Sequence, residues 1–123
     1  MEGIGEKDIV RRTRSFAVSV VRFVNVFPRT PVGFEIGSQL VGCGTSVGAN
    51  VEEAQDSISK KEFIKTINIS LKEIRETIFW LKIIKETKSA NSVSTDQLLK
   101  EAEELKAIIA TIIRRTRQNQ MKQ

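Results

Sequence analysis

Apolar residues recur at steps of three and four along four stretches of this chain, and the links between them are short and polar. That periodicity gives a helix one dry face and one wet face. A chain with four such faces buries them most directly against each other. The first stretch covers about 8–27, with Ile9, Ala17, Val20 or Val21, Val24 and Phe27 on one stripe. Pro28 ends it, because proline disfavours helical geometry in the residue before it. The second covers about 34–55, with Ile36, Leu40, Cys43, Val47 and Val51 in line. The third covers about 59–88 and opens on "SKKE", where Ser59 and Glu62 stand at capping-box spacing. Its stripe is Phe63, Ile67, Ser70, Ile74, Ile78 (or Thr77), Leu81 and Ile84, widened by Ile64, Leu71, Phe79, Trp80 and Ile83. The fourth covers about 95–117, with Ser94 and Gln97 of "STDQ" at capping-box spacing and Leu98, Ala102, Leu105, Ile109 and Ile112 as its stripe. Residues 118–123 lack periodicity and are expected to fray.

The predicted fold class is all-α: one domain over 1–123, an antiparallel up-down-up-down four-helix bundle. The apolar faces of the third and fourth helices are wider than one bundle core needs, which predicts self-association.

Residue usage excludes several kinds of chemistry. There is no histidine, so neither a His-based triad nor a His-rich metal site can form. The single cysteine, Cys43, cannot make an internal disulfide, and a packing role suits it. The N-terminal "MEGIGEKDIVRRTR" lacks the apolar core of a signal peptide, and no segment reaches the roughly 20 apolar residues of a membrane span. A cytoplasmic protein with no membrane contact is expected. No cofactor is implied. The net charge of +5 suits an anionic partner.

One stretch, "VGCGTSVGANVEEA" (Val41 to Ala54), has the look of a phosphate-cradling loop. A dinucleotide fingerprint needs a strand before its glycines, and a Walker loop needs a Lys-Ser or Lys-Thr pair after them. Here helical periodicity runs through the glycines. Gly37, Gly44 and Gly48 fall on one helix face, where they would let another helix approach closely.

Glu52, Glu53, Glu73 and Glu76 raise the question of a metal site between helices. Bundle di-iron sites use Glu-x-x-His, and this chain offers Glu73-x-x-Glu76. An all-oxygen Mg²⁺ or Mn²⁺ site is the remaining metal option. Polar contacts between helices or subunits are the reading preferred for Asn50, Glu53, Glu73 and Glu76, with no metal.

"RRTR" occurs twice. Arg11, Arg12 and Arg14 stand near the start of the first helix, and Arg114, Arg115 and Arg117 near the end of the fourth. An up-down-up-down bundle brings both runs to one end. These six arginines, with Lys7 and Lys122 nearby, are candidate phosphate contacts for RNA or DNA. The competing reading is a solvated surface, with Glu52, Glu53 and Asp56 at the same end and arginines complementing a helix C-terminus.

The segments "RSFAVSVVRFV", "SQLVGCGTSVGANVEEAQ", "SKKEFIKTINISLKEIRETIFWLKIIKET" and "LLKEAEELKAIIATIIRRT" together resemble the bacterial four-helix-bundle family encoded in intervening sequences of 23S rRNA genes. Members are often labelled ribosomal proteins. The resemblance spans about Arg14 to Thr116 and is sharpest from Gln39 to Ala54 and around Phe63, Lys72-Glu73, Arg75-Glu76-Thr77 and Trp80-Leu81. It implies a homopentameric ring of antiparallel bundles, no enzymatic activity and a poorly defined molecular function. Gly44, Gly48 and Trp80 are then expected at helix packing or subunit contacts. The family is similar to the accessory protein of diversity-generating retroelements, which implies nucleic acid and a reverse transcriptase as partners by analogy. A protein-interaction scaffold with no nucleic-acid role is the alternative. Where the family commonly has an arginine and a serine, this chain has Gly42 and Cys43.

Overall fold

The computed structural model describes the backbone of residues 4–121 and the side chains of residues 8–119. Among the described residues there are four helices and no strand: α1 (Ile4–Asn25), α2 (Pro31–Ala54), α3 (Lys60–Thr87) and α4 (Ser92–Met121). α1 packs on α2, α2 on α3, α3 on α4 and α4 back on α1, while the backbones of the two diagonal pairs stay apart among the described residues.

Local chemistry sets the helix ends. Thr30 caps α2 by accepting from the Gly33 amide at 3.0 Å, and Pro31 occupies the first turn, where its missing N–H costs nothing. Ser59 accepts from the Glu62 amide at 3.1 Å, so one half of the expected capping box forms. α3 closes on Lys88, the one non-glycine among the described residues with positive φ (54°), and the Ser89 amide reaches back to the Ile84 carbonyl.

The expected start of α4 at Ser94 or Thr95 is corrected: the helix begins at Ser92, and Asn91 Oδ1 accepts from the Ser94 amide at 2.9 Å. Thr95 is buried and returns its hydroxyl to the Asn91 carbonyl at 2.7 Å, a bond that needs helix already formed before it. α4 also continues to Met121, beyond the expected limit. α1 ends at Asn25, two residues before the expected Phe27.

The core fills from one stripe per helix. On α2 it is Ile36, Leu40, Cys43, Val47 and Val51, and on α4 Leu98, Ala102, Leu105, Ile109 and Ile112, all buried as the spacing predicts. On α1 the stripe is Ile9, Thr13, Phe16, Val20 and Phe23 rather than one through Ala17 and Val24, which are half-buried. Thr13 hides that register in the sequence, because a polar residue stands where the apolar period requires burial. Its hydroxyl is satisfied by the Ile9 carbonyl at 2.8 Å. On α3, Phe79 is 54% exposed, so the apolar face is narrower than expected there.

α1 and α2 meet through the glycines. A Cβ placed on Gly37 would stand 2.8 Å from Val24 Cγ1, one on Gly44 3.0 Å from Val20 Cγ1, and one on Gly48 3.0 Å from the Thr13 carbonyl oxygen. Positions therefore descend along α2 as they rise along α1. Gly42 is exposed, with nothing within 4 Å of the same construction.

Candidate nucleic-acid interface

Arg11, Arg12 and Arg14 of α1 are each engaged within the chain. Arg11 pairs with Asp8 one turn earlier. Arg12 bonds both carboxylate oxygens of Glu101, at 3.1 Å from Nε and 2.6 Å from an Nη, and also reaches Glu104 at 3.1 Å. This fork ties the first helix to the last. The hydrogen bonds that Arg12 donates to Glu101 outweigh partial burial and drive the Arg12 pKa up, so its charge is permanent. Arg14 pairs with Glu52 at 2.7 and 2.9 Å, across α1 and α2. The Arg14 hydrogen bond holds the Glu52 carboxyl below the usual carboxylate range.

The α4 arginines differ. Arg114 and Arg117 are exposed and carry no ion pair among the described residues. Arg115 lines an open depression with Ile9, Ala54, Ile58, Phe63 and Ile112, so the end of α4, the start of α1 and the α2–α3 link share one end of the molecule. The two runs do not merge into one patch. Arg12 meets Glu104, ten residues before Arg114, an offset of about 15 Å along α4. Lys7 and Lys122 lie outside the residues whose side chains are described.

The other candidate contacts sit on or beside α2 and α3. Half-buried Asn50 donates to the Ser46 carbonyl of its own helix at 2.8 Å. Glu53 is exposed, Glu73 and Glu76 are half-buried, and none of the three carboxylates has a hydrogen bond or ion pair among the described residues. No group of three or more His, Cys, Asp or Glu side chains gathers to hold a metal ion among the described residues. Buried Ser70 bridges helices, its hydroxyl donating to the Val47 carbonyl at 2.7 Å. Trp80 stacks edge-on with Phe79, and its indole N–H is buried without an acceptor. Burial pushes the Cys43 thiol up, with Thr77 opposing and Glu76 and Glu73 adding, which leaves it protonated and inert.

The residue-by-residue reading of the sequence passed over one feature of α3. Lys61, Lys65, Lys72, Arg75 and Lys82 are all exposed, and none forms an ion pair among the described residues. The signal that finds them is their seven-residue spacing: Lys65 to Lys72, and Arg75 to Lys82. No described helix is long and apolar enough to cross a membrane.

No curated protein matches the chain. A crystal structure from Bacteroides thetaiotaomicron, described as a protein with unknown function from the S23 ribosomal protein family, is similar at 28% identity and a TM-score of 0.80, covering 85% of this chain and 97% of that one. The family model described as 23S rRNA-intervening sequence protein matches residues 6–111. With that match over most of its length and the four-helix architecture in common, the chain belongs to the 23S rRNA-intervening sequence protein family.

Proposed function

We propose that this is a non-enzymatic, cytoplasmic, antiparallel up-down-up-down bundle that assembles into a homopentamer and binds RNA or DNA phosphates through its basic end. The carrying observation is that Arg114 and Arg117 stand exposed in the last turns of α4 without a carboxylate partner among the described residues. Arg11, Arg12 and Arg14 are held by Asp8, Glu101, Glu104 and Glu52, so they reach phosphate only by exchanging partners. With Arg115 between them, the α4 arginines are the stronger half of the candidate set. The test is titration of structured RNA and duplex DNA against wild type and a variant with all six arginines changed to glutamine. Weaker binding by the variant supports the proposal. Binding unchanged by the six substitutions overturns the assignment to this end.

A second reading, a protein-interaction scaffold, has its own support in exposed Phe79 (54%) and Ile69 (43%) beside the orphaned Trp80 N–H. The same features favour self-association, and a reverse transcriptase is the partner suggested by analogy. A pull-down that survives nuclease treatment would favour the scaffold.

A further inference from the structure

The buried side of α3 repeats every seven residues without a break. Ile64, Leu71 and Ile78 form one row, Ile67, Ile74 and Leu81 a second, and Ser70, Thr77 and Ile84 a third, all buried. A strict seven-residue repeat keeps the same face outward for the whole helix instead of letting it spiral around the axis. The outward rows therefore stay on one side of the bundle along the length of α3. Lys65, Lys72 and Phe79 make one, and Lys61, Asn68, Arg75 and Lys82 make its neighbour. From Lys61 to Lys82 the track is about 31 Å long.

The track is cationic and uncompensated. The ion pair that α3 makes among the described residues uses Lys85, with Asp96 of α4 at 3.1 Å, off these rows. Glu73 and Glu76 lie on the flank nearest α2, close enough to influence Cys43; exposed Glu62 stands one turn before Lys65 and Glu86 continues the Lys65 row past Phe79, and none of the four pairs with these cations among the described residues. Five positive charges thus run along two neighbouring rows of one helix, none of them paired with a carboxylate among the described residues.

We infer that this outward face of α3 docks along the phosphate backbone of a nucleic-acid duplex, without reading sequence. The inference rests on the nucleic-acid reading above but assigns the principal contact to different residues. Charge complementarity names a polyanion, and the shape of the track selects among polyanions. An anionic membrane surface calls for a helix that buries a broad apolar face in the lipid boundary. α3 spends that face on the protein core, and Phe79 is the lone apolar residue in the two rows. A single strand calls for several aromatic platforms on which bases stack, and these rows hold one aromatic. A duplex needs neither. Its charge is regularly spaced and its helical turn is roughly 34 Å, so the track covers close to one turn.

The test measures affinity at one low salt concentration for a mixed-sequence duplex two turns long, in DNA and in RNA. Three proteins are compared: wild type, a variant with Lys61→Gln, Lys65→Gln, Lys72→Gln, Arg75→Gln and Lys82→Gln, and a variant with Arg114→Gln, Arg115→Gln and Arg117→Gln. Glutamine keeps helix propensity at exposed sites, and circular dichroism confirms the fold. The expected result is a loss of about 100-fold or more for the α3 variant and less than about tenfold for the α4 variant. An α3 variant that binds like wild type while the α4 variant fails overturns this inference and leaves the basic-end reading standing. Absence of duplex binding by wild type overturns both. Tighter wild-type binding to phosphatidylserine vesicles or to a single strand than to duplex also overturns it.

Discussion

At Gly48 the second helix comes so close to the first that an added methyl group would press on backbone: its nearest neighbour would be the Thr13 carbonyl at 3.0 Å, which gives way only if the helices move apart slightly. The intrinsic helix gain from Gly→Ala is about 1 kcal/mol, while forcing packed helices apart costs about 1–3 kcal/mol, so strain wins. Gly48→Ala is expected to destabilise by about 1–2 kcal/mol in urea unfolding. Gly42→Ala, with nothing within 4 Å, is expected to stabilise by up to about 1 kcal/mol. Equal effects at the two positions would contradict the close-packing account. The sequence distinguishes these glycines only in part. Spacing put Gly37, Gly44 and Gly48 on one face, but which helix they meet depends on Thr13, a polar residue that periodicity alone leaves off the α1 stripe.

Between elements, the fork from Arg12 to Glu101 and Glu104 is the polar tie that joins the first helix to the last. Arg12 is about three-quarters buried (23% side-chain exposure), so the tie is worth more than a surface pair. Arg12→Met is expected to cost about 1–2 kcal/mol by chemical denaturation, and Arg11→Met close to nothing. A null effect at Arg12 would show that apolar contacts alone fix α4 against α1. This tie was not legible in the sequence, where Arg12 read as one of six phosphate candidates. Its partners lie 89 and 92 residues away, a separation that local patterning cannot bridge. Helix number and core stripes were legible, because burial imposes a period on contiguous residues. The start of α4 was misplaced because Asn91 and Ser94 are both good caps, and burial of Thr95 decides between them.

For the whole molecule, the pattern is a core closed by seven-residue repeats and a surface on which carboxylates pair with Arg11, Arg12 and Arg14 while the outward cations of α3 and Arg114 and Arg117 of α4 carry no ion pair among the described residues. This locates the chemistry away from the glycine-bearing helix, whose small residues serve contact with α1. The measurement that tests this most directly is the salt dependence of wild-type binding to a duplex. Phosphate contact by the unpaired cations predicts that log K falls linearly with log salt, with a slope of about −4 to −5 for five neutralised phosphates. A flat line, or no binding at low salt, would contradict it.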